Sequence, residues 1–218
     1  GGGGLASAVS GNSVELGTNA TGDTSAGEVV ARSDGWKVQT SGAYSPGFTL
    51  QSIGGGGGVA YTSTGSVSLG GAVDGETTAS PVIFESEEST IIVTQGISSP
   101  AVIAQSIGGG GGYVGGDGSG VGASVVLGGS GQQLGSSGSV DVTLGQESLL
   151  STANIQSQGV IIQSIGGGGG FTSQNGKAMS LGMSTGVGNA GNVNLINKGT
   201  IQTTGDHSEG VIAQSIGA

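Results

Sequence analysis

Cysteine is absent from the 218 residues, which excludes a disulfide framework and any thiolate metal site. Proline occurs only at positions 46, 81 and 100, and one Trp, three Tyr and three Phe are too few for a thick core of large rings. Positive charge is also scarce: four Lys and Arg stand against fourteen Asp and Glu, a formal net charge of −10. The cations Arg32, Lys37, Lys177 and Lys198 are scattered, whereas a phosphate backbone needs a basic stripe, so nucleic acid is not an expected partner. No apolar run approaches the roughly 18 residues of a membrane-spanning helix. The chain starts inside a glycine run, with neither Met nor a signal segment, and reads as a piece of something longer.

Glycine is what the chain has in excess: 52 residues, nearly one in four, against a usual share of about 7%. Such a share marks disorder unless the glycines recur in a pattern. Leu, Ile, Val and Phe make up about 23% of the chain, just above the level of roughly 20% below which a core does not form. Val and Ile outnumber Leu, and β-branched side chains favour pleated surfaces over helices. An all-β chain is therefore expected.

The glycines do recur. Gln-Ser-Ile-Gly occurs at Gln51, Gln105, Gln163 and Gln214, with spacings of 54, 58 and 51 residues. Three copies run on into five glycines, beginning at Gly54, Gly108 and Gly166, and Gly1 to Gly4 matches the tail of an earlier copy. Four repeats follow, approximately 1–53, 54–107, 108–165 and 166–218. Each continues with Leu5, Val59, Tyr113 or Phe171, then a short piece ending in Leu-Gly at Gly17, Gly70, Gly128 or Gly182. Blocks starting at Val29, Val82, Val140 and Val193 come next, then pieces ending at Gly42, Gly96, Gly159 and Gly205. At least four short strands per repeat are predicted, with glycine turns between them. The third repeat carries four extra residues around Gly115 to Gly120, a longer link from Val140 to Ile155 and a shorter one from Gly159 to Gln163.

A parallel β-helix, or β-solenoid, suits such repeats, because no coil buries its thin apolar face without a neighbour. At about 18 to 27 residues per coil, two or three coils per repeat and a rod of roughly 40 Å are expected. The strand Val211 to Ile216 is apolar on both faces, Val211, Ala213 and Ser215 on one and Ile212, Gln214 and Ile216 on the other. Something must cover its outside: the glycine run, a loop of the same chain, or a second chain. The recurring Gln51, Gln105, Gln163 and Gln214 are expected to anchor the glycine segments through backbone groups. Ile53, Ile107, Ile165 and Ile216, with Gly54, Gly108 and Gly166, are the other structural positions.

The stretch Gly191 to Gly217, with Val193, Leu195, Asn197, Gly199-Thr200-Ile201, Thr203-Thr204-Gly205-Asp206 and Gly210-Val211-Ile212-Ala213-Gln214-Ser215-Ile216-Gly217, resembles the repeat of large autotransporter passenger domains of Gram-negative bacteria. The resemblance covers essentially the whole chain and is strongest in the fourth repeat; the first departs from it with Thr49-Leu50 and with Trp36 in a strand block. It implies a right-handed parallel β-helix, export across two membranes and display at, or release from, the cell surface. A membrane contact would come through a C-terminal barrel that is absent from these residues.

Catalytic and ligand chemistry finds little support in the residues. The glycine runs lead into Leu5, Val59, Tyr113 or Phe171 rather than Gly-Lys-Ser/Thr, so they do not read as phosphate loops. His207 is the lone histidine, in Asp206-His207-Ser208, where adjacency in sequence creates no triad geometry. Glu85, Glu87 and Glu88 occur in one repeat only and read as a solvated edge rather than a Ca²⁺ site, and Asp117 lies in a glycine turn without the nonapeptide pattern. Trp36, Tyr44, Tyr61 and Tyr113 occupy different phases of the repeat, which predicts packing at loop bases and no single aromatic ladder. The expectation is a non-enzymatic extracellular rod for display, adhesion or matrix formation, without metal or cofactor, touching host glycans or proteins or its own copies. Two alternatives stand beside it: a self-assembling filament, and a phage-type receptor-binding adhesin with packed polyglycine helices.

Overall fold

The computed structural model describes residues 2–8, 13–17, 20–63, 65–117, 124–129, 133–173, 178–182 and 187–217. Lys177 and the tip of the third-repeat insertion, 118–120, lie outside them. The described residues form strands and turns without a helix. Six strand positions recur along each repeat, and equivalent strands of successive repeats pair in parallel to make six sheets.

In chain order the first sheet is Gly2–Ala8, Gly56–Thr62, Gly112–Gly115 and Gly170–Thr172, so the ends of the glycine tracts are themselves strands. The second sheet holds the Leu-Gly pieces, Val14–Leu16, Val67–Leu69, Ser124–Leu127 and Ala178–Leu181. The third takes Ala20–Thr21 and Thr24–Ser25 together, then Val73–Thr78, Gln133–Ser136 and Val187–Asn189. Val29–Ser33, Val82–Glu88, Val140–Gln146 and Val193–Asn197 make the fourth. Lys37–Thr40, Ile91–Thr94, Leu149–Thr152 and Thr200–Thr203 make the fifth. The Gln-Ser-Ile strands, Phe48–Ile53, Val102–Ile107, Val160–Ile165 and Val211–Ile216, make the sixth.

Each pairing joins one repeat to the next, never two halves of the same repeat. A repeat is therefore a single rung, not two or three coils. Four rungs span three strand spacings, about 14 Å, so the expected length of roughly 40 Å is corrected downward. The residues that would have built extra coils are spent sideways, because each rung closes into two lobes. In one lobe the fourth, fifth and sixth sheets enclose a core of Val82, Phe84, Ile92, Val102, Val140, Leu150 and Ile162. In the other, the first and second sheets enclose Ala60, Val67, Leu69, Val114, Val125 and Leu127.

Register also corrects the reading of the third repeat. Leu149–Thr152 pairs with Ile91–Thr94, and Asn154, not Gly159, is the residue against which Gly205 packs. The offset between the second and third rungs is 54 residues at Gly58↔Gly112 and 58 from Val67↔Val125 onward. The four-residue change in offset thus falls between the first and second sheets, and register is kept within each strand. A corner absorbs extra residues without disturbing a ladder, whereas a one-residue slip within a strand would turn every side chain to the wrong face.

Candidate functional site

The sixth sheet is covered on both faces by its own chain. Ala104 and Ile162 point into the three-sided core, while Ile103 and Ile161 meet Val59, Tyr61 and Tyr113 of the first sheet. Of the three covers the sequence allowed, the glycine-tract strand and its continuation provide it.

Within that interlayer the four glutamines form one chain of side-chain bonds. Gln51 Nε2 donates to Gln105 Oε1 at 2.9 Å, Gln105 Nε2 to Gln163 Oε1 at 2.6 Å, and Gln163 Nε2 to Gln214 Oε1 at 2.7 Å. The expectation of backbone partners is corrected: identical amides stacked one strand spacing apart satisfy each other. Glycine still belongs to the arrangement, since a Cβ on Gly58 would come within 2.9 Å of Gln51 Nε2. Ile107 and Ile165 are fully buried beside the ladder, and Ile53 and Ile216, on the end rungs, are half-buried.

The serine after each glutamine pinches the two lobes apart, a role the sequence reading did not assign. Ser52 Oγ donates to Gly27 C=O and accepts from Ser80 N–H, both at 2.9 Å. Ser106 repeats this with Ser80 C=O and Gly138 N–H, and Ser164 with Gly138 C=O and Gly191 N–H. Each hydroxyl thus closes its own rung and holds the next. The waist is tight, since a Cβ on Gly54, Gly108 or Gly166 would lie about 2.4–2.5 Å from Thr78, Ser136 or Asn189 backbone. The invariant Ser beside Gln was the available signal; its partners, about 25 residues away in the same rung, were not visible.

The aromatic residues also depart from expectation. Tyr44, Tyr61, Tyr113 and Phe171 form a continuous column, with centroids 5.3, 5.9 and 5.9 Å apart, while Trp36 stacks on Phe48 in the other lobe. Their repeat phases differ, but a two-residue offset along one strand is spanned by a ring in the next. Burial pushes the Tyr61 and Tyr113 phenols upward, strongly in both. Tyr113 has Gln158 as a partner, whereas the Tyr61 hydroxyl is buried without one. Phenols whose folded pKa exceeds the unfolded value of about 10 favour the fold below that pH and cease to do so as pH rises above it. Tyr61→Phe is expected to raise stability at neutral pH by about 1 kcal/mol and to shift alkaline unfolding upward. Urea midpoints and a circular dichroism titration check this; a lower midpoint would refute the orphan-hydroxyl account.

His207 lies exposed at a corner, φ 53°, in the position held by Tyr44, Ser98 and Gln156 in the other rungs. Ser208 beside it bonds Asn154 C=O and receives Ser157 N–H, a corner link that recurs from Ser45 N–H to Ser99 and from Ser99 N–H to Ser157. Glu85 pairs with Arg32 at 2.7 Å on the exposed face of the fourth sheet. Among the described residues no three His, Asp or Glu side chains converge as a metal site would require.

A groove of about 220 Å³ lies on the outside of the third sheet, lined by Glu76, Thr78, Leu134, Ser136, Val187 and Asn189. Register explains its chemistry. Thr78, Ser136 and Asn189 form one polar row, and Glu76, Leu134 and Val187 a parallel one with Leu134 and Val187 more than half exposed. No protein-family model matches the chain, and comparison with curated proteins and with solved structures returns no match.

Proposed function

We propose that this array is a non-enzymatic extracellular module of an autotransporter-like surface protein, a stiff repeat that displays an adhesive face. The observation that carries the reading is the division of labour along each rung. The Gln and Ser that recur in every repeat are consumed by hydrogen bonds along and across the rungs, and the Ile that follows them is fully buried in the two inner rungs. The groove on the third sheet, whose residues differ from rung to rung, gathers hydroxyl, amide and carboxylate groups beside apolar side chains. Such a surface suits the hydroxyls and ring faces of a glycan, bound weakly at one site and firmly by many copies. The glycine tracts end in paired strands, Gly58↔Gly112↔Gly170, which leaves no place for stacked polyglycine helices at those ends.

Beads coated with the chain are expected to adhere to glycan-coated surfaces. Leu134→Arg, which fills the groove with a long charged side chain, is expected to reduce adhesion at least about tenfold with an unchanged circular dichroism spectrum. Equal adhesion of the variant, or release of reducing ends from a polysaccharide panel by the wild-type chain, would overturn the reading.

A further inference from the structure

On the flank of the fourth sheet and at the neighbouring corners, polar side chains are engaged within the protein. Arg32 neutralises Glu85, and Asp141 accepts from Asn194 Nδ2 and Ser139 Oγ. Asn154 donates to Gln95 C=O, and Asn197 accepts from Gly199 N–H. The groove on the third sheet is different. Among the described residues, no hydrogen bond or ion pair holds the side chains of Glu76, Thr78, Ser136 or Asn189. Leu134 forms part of the apolar wall and stands on an inner rung, its strand paired on both sides, so its 53% exposure belongs to the flank of the stack.

Charge is graded along the groove. Asp23 lies against Glu76, its Oδ1 accepting Glu76 N–H at 3.0 Å, and Asp74 is two residues before Glu76 on the same strand; all three are exposed. The described cations Arg32, Lys37 and Lys198 belong to the fourth and fifth sheets and the turn between them, in the other lobe. The Glu76 end of the groove therefore attracts positive charge and repels anions. Toward the other end, Leu134 and Val187 lie beside Ser136 and Asn189, an apolar row next to a hydroxyl and an amide. Both rows step by one strand spacing, about 4.8 Å, close to the length of one sugar ring in an extended chain. The volume of about 220 Å³ is below the roughly 300 Å³ at which ordinary small-molecule pockets begin, so it seats a short stretch of polymer.

We infer that the ligand of this groove is an amino-sugar polymer with free amines, lying along the stack axis. A ring ammonium sits on the Glu76 carboxylate, the carbon-hydrogen faces of the following rings rest on Leu134 and Val187, and their hydroxyls meet Thr78, Ser136 and Asn189. The carboxylate selects the charge class. An ammonium gains a charge-assisted hydrogen bond there, a neutral or acetylated ring leaves the carboxylate without a cation, and a uronate or sulfate meets Asp23, Asp74 and Glu76 with like charge. The inference rests on the glycan reading of the groove and adds which glycan it takes.

The test is calorimetry of the 218-residue chain with hexamers of β-1,4-linked glucosamine, N-acetylglucosamine and glucose, at mildly acidic pH where the free amine is charged. The glucosamine hexamer is expected to bind about fivefold more tightly than either neutral one, and the preference to shrink as salt is raised. Glu76→Gln is expected to abolish the preference and leave the neutral hexamers as they were. Glu87→Gln removes an equal charge from the exposed end of a fourth-sheet strand and is expected to keep it, which separates the groove from general attraction to a chain of charge −10. Equal binding of the three hexamers overturns the inference and leaves the glycan reading standing, whereas no binding of any of them overturns both. A preference that survives Glu76→Gln, or is lost equally in Glu87→Gln, overturns the inference, as does a lysine hexapeptide that binds in a Glu76-dependent way as tightly as the glucosamine hexamer.

Discussion

Gly112→Ala is expected to lower stability by about 4 kcal/mol, a large part of the 5–15 kcal/mol that holds a typical domain together. Gly112 has φ +133°, and a Cβ there would come 2.0 Å from Gly58 C=O, with further Gly58 backbone atoms about 3 Å away. Two penalties combine: the backbone conformation costs about 1–2 kcal/mol for an L residue, and forcing a methyl into a packed interior about 1–3 kcal/mol more. Relief through a side-chain rotation is not available, because the atom in the way is backbone of the paired strand, held by Gly58 N–H to Gly111 C=O at 2.9 Å. Gly27→Ala is the control. Its Cβ would meet nothing within 4 Å and its φ is not left-handed, so a change within about 0.5 kcal/mol is expected. Urea midpoints of the two variants, with unchanged slope, measure the difference; equal midpoints would refute the steric account of the glycine tracts.

Gln105→Leu is expected to cost about 3 kcal/mol. The side chain is fully buried, donates to Gln163 and accepts from Gln51, so leucine leaves both neighbours with an unmatched amide atom. Each buried polar group left without a partner costs about 1–3 kcal/mol, and the half-buried Gln51 recovers part of its loss through water. The ladder logic makes a sharper statement about the combined variant. With all four glutamines replaced by leucine no amide is orphaned, so the total loss is expected to fall well below four times that of the single change. Additive losses would show that each glutamine acts alone, through backbone partners, as the sequence first suggested.

Much of the fold was legible because its rungs repeat. Glycine tracts, Leu-Gly pieces, Val-started blocks and Gln-Ser-Ile strands keep their order four times, and a parallel stack places equal residues over one another. The strand apolar on both faces, Val211 to Ile216, correctly demanded a cover. What misled was the third repeat, where Gly159 looked like the end of a strand that actually precedes Asn154; a glycine marks a turn without saying which one. The aromatic column failed for a related reason: phase along the sequence does not show that the Tyr61 ring reaches Tyr113 across strands. The outer groove had no sequence signature at all, since Glu76, Leu134 and Val187 share no residue type and meet only through register.

The sequence by itself determined an all-β stack of four repeats, because β-branched residues favour strands and no repeat has apolar surface enough to fold alone. Only the tertiary structure decided that 54 residues make one two-lobed rung rather than two or three coils. Period records how often a chain returns to the same place; it carries no information on whether the path between returns advances along the axis or spreads across it. That choice belongs to Ser52, Ser106, Ser164 and Ser215, whose hydroxyls join the end of each rung to its middle and leave the glycine strand to cover the outside. Glycine, which could have marked a disordered chain, is there the one residue thin enough to let two lobes share a wall.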